Sequence, residues 1–505
     1  MHSLPLFSAL GATLPTLALA LFETTYQSTS LAIQPFTILE RSSDYDPDNS
    51  TLFLVCPGGS VVTQPGPTIY KSTGELVWSD PSLGACTDLN LQTFEGEQYL
   101  TVWVGNGTAE TGAQVGSGSA LMLNSRYEVV RNVSAVNPGG TDLHEFRIQA
   151  PANKTALLTA FNPIPLDLTS VGGLANGWYL NSIIQEVDIT TGRVLFNWTS
   201  VDHIALNESF NNLTLTASGD SQANPWDPVH INSIDKDHAG NYLISARNCK
   251  TIYKIDKNGT IIWRLGGKQS DFTALGNDTE FHWQHHARWR NEETQISLFD
   301  DGAAVLLQTI VINEPVASGK FLNIDQKAMT VSLAKRYLPS PNTGPSFAAG
   351  STEPFGDTVS VGYGNNAWVT VHDASTEAIL LSATIGPNNA SLWLGGIANY
   401  RVFQTSTHAF TGHPKQPPSV ALGGGDVFVS WNGATHVAAY TLLTGSAPGK
   451  VVNKVRTVPK AGFETQFSAK GNGAYVVVEA LAANGSVLGR SAVYKTSDES
   501  VVENP

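Results

Sequence analysis

Histidine, arginine and asparagine recur in this chain in a pattern that suits anion chemistry. The segment DPVHINSIDKDHAGNYLISARN, residues 227–248, reads as a β-hairpin turning at Gly240-Asn241. It puts His230 and Asn232 on the first arm and Arg247 on the second. A period of two sets His230 and Asn232 on one face of their strand. Two further segments carry histidine where a strand begins: TDLHEFRI with His144, and FHWQHHARW with His285 and His286. Imidazoles at matching positions of repeated units converge on one pocket. An arginine fork beside them pairs with the edge oxygens of a sulfuryl, phosphoryl or carboxylate group. A single inward histidine is an ordinary satisfied core residue; three at matching positions make a candidate site.

A tri-histidine zinc or copper centre is the rival use of the same side chains. Arg247 opposes a dication there, and no Asp or Glu stands at a matching inner position beside His230 or His285. The expectation is therefore no metal and no cofactor. Ser233 lacks the Gly-x-Ser-x-Gly setting of a hydrolase nucleophile, and dinucleotide and P-loop motifs are absent.

The elements that must carry these residues are strands. With 46 Gly, 26 Pro and 14% charged residues, and apolar runs rich in Thr, Val, Ile and aromatics, the composition is that of an all-β chain. Its 505 residues exceed what one core serves. Hairpins of one design recur: TIYKSTGELVW (68–78), IIQEVDITTGRVLFNW (183–198) and TIYKIDKNGTIIWRL (251–265). Weaker versions are LMLNSRYEVVRNV (121–133), FLNIDQKAMTVSLAKRY (321–337) and VTVHDASTEAILLSATI (369–385). Each alternates with period two on both sides of a short turn. A further strand pair precedes the stronger ones, so the unit has four strands, the grammar of a β-propeller blade. Six units fit between about residues 36 and 410. In a blade, the innermost strand lines the central channel, and its first residues sit at one mouth.

After HPKQPPS (413–419) the pattern changes to DVFVSWNGATHVAAYTLLTG and GAYVVVEALAANGSVLGRS, a Trp-bearing strand followed by paired strands. The predicted fold is all-β: a six-bladed β-propeller over 21–412 and a C-terminal immunoglobulin- or fibronectin III-like β-sandwich with its tail over 413–505.

Residues 1–20, MHSLPLFSALGATLPTLALA, form an apolar run ending Ala18-Leu19-Ala20 and read as a signal peptide. A retained anchor is the alternative; Pro5, Gly11, Pro15 and the lack of a flanking basic residue favour cleavage. No other stretch reaches the length of a membrane span, so no stable span is expected after cleavage, and the protein is expected to be secreted. Asn-x-Ser/Thr sequons at Asn49, Asn106, Asn132, Asn153, Asn197, Asn207, Asn212, Asn258, Asn277, Asn389 and Asn484 fit that route. Cys56 and Cys86, both in the first repeat region, are the expected disulfide, leaving Cys249 as a buried thiol. A formal charge of -14 and no basic stripe argue against a nucleic-acid partner.

At DLHEF, VHINSIDKDHAGNYLISARNCKTIYKIDKNGTIIWRLGG, FHWQHHARW with SLFDDG, and VSWNGAT, the chain resembles the arylsulfotransferase family, in particular its secreted, mostly fungal branch. The resemblance runs over most of the mature chain. It implies a six-bladed propeller and transfer of a sulfuryl group from an aryl sulfate to a phenol without a nucleotide donor. The family's funnel histidine resembles His144, its His-x-Asn pair His230 and Asn232, and its following arginine Arg247. Its transiently sulfurylated histidine, which follows a Gln, resembles His285, with His286 one residue away in register. The implied roles are catalytic for His285, His230, His144 and Arg247, and substrate-binding for Asn232 and His286. A non-catalytic glycosylated propeller that binds an anionic or aromatic ligand is the rival from another class.

Overall fold

The computed structural model describes residues 23–107, 115–306, 309–339, 343–387, 396–468 and 473–503. The expected signal peptide and the sequon at Asn389 lie outside the described residues. Among the described residues the regular structure is β apart from short 3₁₀ turns and one helical turn, Leu213–Thr216. Among the described residues, no helix is long and apolar enough to cross a membrane.

Six antiparallel sheets of similar design follow one another, each opening on a leading strand. The first four lead with β1 (Cys86–Phe94), β2 (Phe146–Ile148), β3 (Ile231–Lys236), which pairs β4 (Tyr242–Ala246), and β5 (His285–Arg290). The fifth leads with β6 (Ser351–Phe355) and takes Phe36–Arg41 as its last strand. The sixth leads with β7 (Phe403–Ser406), which pairs Thr51–Val55, so strands from opposite ends of the chain complete it. All six hairpins read from the sequence are the third and fourth strands of these sheets.

Each leading strand lies against the next sheet. The succession runs β1 to β2, the second sheet to β3, and then β5, β6 and β7, which returns to β1. An apolar cluster fills the space between each successive pair of sheets. The period of two explains how one strand serves two clusters. Along β4, Tyr242, Ile244 and Ala246 enter the cluster shared with the second sheet, while Leu243 enters the one shared with the fourth. Every side chain of β4 is therefore buried. Gly240, at φ +88°, closes the β3–β4 turn in a region that side chains disfavour. The Asp237 carboxylate clasps that turn through Asn241 N (2.7 Å) and Nδ2 (2.8 Å).

Beyond the sixth sheet, Ser419–Gly423, Asp426–Ser430 and Glu464–Ser468 form one sheet, and a second is centred on Ala439–Gly445 and Tyr475–Leu481. Both contribute to one core, with Val427 and Val429 from the first and Tyr440, Leu442, Val476 and Val478 from the second. This region meets the six-sheet body through Lys460 on Glu75 (2.5 Å) and Tyr127 Oη on Gly433 O (2.8 Å). Cys56 and Cys86 form a disulfide, and Cys249 is a buried thiol whose pKa burial pushes up to about 12.

Candidate active site

The leading strands bring the three histidines to one place. His144 lies just before β2, His230 immediately before β3, and His285 opens β5. Arg247 comes directly after β4, and its N–H donates to His230 O at 3.0 Å, which fixes it opposite that histidine. His230 (φ +57°), Trp283 (φ +61°) and His286 (φ +55°) all hold left-handed backbone without being glycine, strain of a kind that collects at functional sites.

Each of the three imidazoles has a carboxylate on Nδ1. Asp142 Oδ2 lies 2.5 Å from His144, Asp227 Oδ2 2.5 Å from His230 and Asp301 Oδ2 2.7 Å from His285. No Asp or Glu was expected at a matching strand position beside His230 or His285; the carboxylates come from outside those positions. Asp227 stands three residues ahead of its histidine, and Asp301 arrives from the bend after the second strand of the fourth sheet. The carboxylates accept hydrogen bonds from Nδ1–H and fix the ring orientations. At His285, Ala349 N–H donates to Nε2 at 3.2 Å, so that nitrogen carries a lone pair and the proton sits on Nδ1. Burial, with the positive charge of Arg247 next, pushes the His285 pKa well below the usual imidazole value, so the ring is neutral.

His144 and His230 meet differently. Their Nε2 atoms lie 3.1 Å apart with the rings edge to face. With both Nδ1 protons given to carboxylates, that separation requires a proton on one Nε2, shared between the rings. Burial lowers the His230 pKa, against the opposing pull of Asp227.

Arg247 is 7% exposed and, among the described residues, forms no direct ion pair, although the charges of Asp301 and Asp227 act on it. Its Nη1 donates to Asn248 Oδ1 (2.9 Å), Nη2 donates to Phe347 O (2.8 Å), and the guanidinium stacks over Trp283 at 5.4 Å. Nε is buried without a partner. A cation held by neutral groups keeps its charge for an incoming anion.

The other two predicted residues do not join this set. Asn232 Nδ2 donates to Gln284 O at 2.7 Å, so the amide pins the segment before His285. His286 sits in left-handed backbone (φ +55°) where the strand register shifts, and its side chain goes to other partners. Its Nδ1 accepts from Thr352 N–H (3.3 Å), and its ring lies 5.7 Å from Phe403. Burial, followed by the charge of Arg288, pushes its pKa well down.

Sequence reasoning missed Tyr400 and Arg401, which come from just before β7. The Tyr400 ring lies 5.5 Å from His144 and 6.3 Å from His285, and its hydroxyl donates to Asn232 O at 3.4 Å. Arg401 is fully buried and bonds Asp88 (2.7 Å), Glu145 (3.2 Å) and Asn232 O (2.8 Å). Glu145 also takes both its oxygens to Arg288, at 2.9 and 2.8 Å. This ionic layer ties β1, β2, β3 and β5 together beside the histidines. Among the described residues, no group of three or more His, Cys, Asp or Glu side chains is arranged to hold a metal ion.

The family profile described as Arylsulfotransferase (ASST) matches residues 90–384, over half of the chain. The chain belongs to the arylsulfotransferase family. The arylsulfotransferase match contains His144, His230, Arg247 and His285 with their three aspartates, and stops short of Tyr400 and Arg401. No curated protein matches the chain. Solved structures similar to it include a protein of unknown function from Bacteroides caccae, at 14% identity and TM-score 0.39, covering 70% of this chain and 98% of that one. A protein from Lactobacillus plantarum (11%, TM-score 0.36, 82% and 97%) and Saccharomyces cerevisiae Sqt1 (13%, TM-score 0.32, 67% and 78%) are others. At these scores none bears on the arylsulfotransferase's chemistry.

Proposed function

We propose that the chain transfers a sulfuryl group from an aryl sulfate to a phenol through a covalent intermediate on His285. The observation that carries this reading is the meeting of a neutral histidine, its Nε2 free of a proton, with a buried arginine whose direct hydrogen-bond partners are neutral. In the first half-reaction His285 Nε2 gives up its hydrogen bond from Ala349 N–H and attacks sulfur, forming an N–S bond as the S–O bond to the aryl group breaks. Arg247 Nε–H donates to a sulfuryl oxygen, and the proton shared by His144 and His230 passes to the departing phenolate. In the second half-reaction an acceptor phenol returns that proton to the pair and takes the sulfuryl group from His285. Asp301 holds the Nδ1 proton of His285 throughout.

The same reading extends to the whole molecule: a six-bladed propeller over 21–412 with a β-sandwich over 413–505, secreted after loss of residues 1–20. Six successive sheets whose leading strands close on themselves, and two C-terminal sheets on one core, support the architecture. Secretion and glycosylation are supported by the Cys56–Cys86 disulfide and by the exposure of Asn49, Asn106, Asn132, Asn197, Asn207, Asn212, Asn258, Asn277 and Asn484, with Asn153 half-buried.

The test is turnover of a chromogenic aryl sulfate with an added phenol. His285→Ala abolishes phenol release in this account, whereas His286→Asn keeps most of it. Saturable aryl sulfate binding without phenol release favours the non-catalytic binder. Histidines oriented through Nδ1 by carboxylates also suit metal ligation, so loss of activity on chelation, restored by one metal, favours that second reading.

A further inference from the structure

A pocket opens beside Lys250, whose ammonium lies over the Trp283 ring that also carries the Arg247 guanidinium. Its volume is ≈ 430 Å³, within the range of small-ligand sites, and its walls include Phe210, Phe272 and Phe281. Lys250 stands in it, 7% exposed, with its ammonium 4.5 Å from both the Phe210 and Trp283 rings. Among the described residues its one polar partner is neutral: Nζ donates to Asn313 Oδ1 at 3.2 Å, an oxygen that also accepts from Trp283 Nε1 at 2.9 Å. The acid that acts on it electrostatically, Asp300, is held by Lys320 at 2.7 Å. His282 also lines the pocket, and its Nδ1 is buried without a partner.

The backbone is shaped around this cavity. Gly266 (φ +82°) and Gly267 (φ +69°) form part of its wall. A Cβ on Gly266 would stand 2.7 Å from the Phe281 ring and 2.9 Å from Lys250 O; on Gly267 it would stand 2.7 Å from Cys249 O. Only glycine lets that ring and the Lys250 turn approach so closely.

We propose that this pocket is a second ligand site, taking a planar aromatic monoanion, an aryl carboxylate or a phenolate, with its ring among the phenyl groups and its charge on Lys250. A desolvated ammonium with only a neutral partner lacks the counter-charge that burial calls for, and the aromatic walls select a flat ring. The groups facing Lys250 are Asp300, already paired, Lys268, His282, and Glu280 at the exposed rim. Lys268 faces the same Phe210 ring at 4.9 Å and adds positive charge. The proposal does not rest on sulfuryl transfer, because the lining of this pocket includes neither Arg247 nor any of the three histidines.

The experiment is calorimetric titration of the full chain with benzoate, 4-nitrophenolate, benzyl alcohol and acetate. Benzoate and 4-nitrophenolate bind saturably; benzyl alcohol, which lacks the charge, and acetate, which lacks the ring, bind roughly 10- to 100-fold more weakly. If only one of the two anions binds, that one is the ligand class. Burial lowers the Lys250 pKa to about 8, so benzoate affinity falls as pH rises through that value and the ammonium is lost. Lys250→Met weakens benzoate roughly 10- to 100-fold, while Arg247→Met leaves it within about twofold. The reverse pattern in the two variants, equal binding of acetate, or no saturable binding of either aromatic anion overturns the proposal. The wild-type ligand series and pH profile decide the matter even if Lys250→Met does not fold.

Discussion

Arg247→Met removes a buried cation whose direct partners are neutral while keeping the length of the side chain. Two effects follow, and the geometry separates them. Loss of a preorganised donor to developing charge costs about 10²- to 10³-fold in kcat, or about 2.7–4 kcal/mol. Independently, the positive charge of Arg247 is the largest influence after burial that disfavours protonation of His285. Without it the imidazolium forms more readily, the His285 pKa rises, and the acid limb of the kcat/KM profile moves to higher pH. Stability also falls, because Phe347 O and Asn248 Oδ1 lose their donors at about 1–3 kcal/mol each. Arg247→Lys keeps the charge but not the fork, so it loses activity with a smaller movement of the acid limb. Aryl sulfate turnover across pH, with circular dichroism to confirm folding, measures all of these. A loss below tenfold, or an acid limb that stays in place or moves to lower pH in Arg247→Met, would refute the reasoning.

Asp142→Asn disturbs the proton shared by His144 and His230, so the fall in kcat is larger for aryl sulfates whose leaving phenol has a high pKa; a series of substituted donors reads this directly. Arg401→Met leaves Asp88 and Glu145 short of their buried partner and destabilises the fold by about 3–5 kcal/mol in urea unfolding. Cys56→Ser opens a loop of sequence separation 30 and removes about 4 kcal/mol of stability on the chain-entropy estimate, checked by the shift of the same unfolding curve against wild type.

The repeating hairpins were readable because a period of two and a turn glycine are local signals. The same holds for His144, His230 and His285, each placed where a leading strand begins. The contacts that complete the site are long-range. Asp301 lies 16 residues beyond His285 and Tyr400 lies 168 beyond Asn232, and no periodicity links either pair. Asp227 was within reach at three residues, but it precedes the strand and so fell outside a search for matching strand positions. Asn232 illustrates a different limit. Its face of the strand follows from alternation, yet its amide is drawn to Gln284 O by a neighbouring sheet that the hairpin's own sequence does not describe. The choice between His285 and His286 needed the register shift between His285 and Arg288 and the left-handed backbone of His286.

The central claim is that His285 carries the sulfuryl group between donor and acceptor. It is tested most directly by mixing the protein with an aryl sulfate and no acceptor, quenching rapidly under alkaline conditions, and locating the added group by peptide mass spectrometry. The account predicts one sulfuryl group on His285, formed in step with a stoichiometric burst of phenol and discharged by added phenol. A label on His286 or another residue, or phenol release with no protein-bound sulfuryl group, contradicts it.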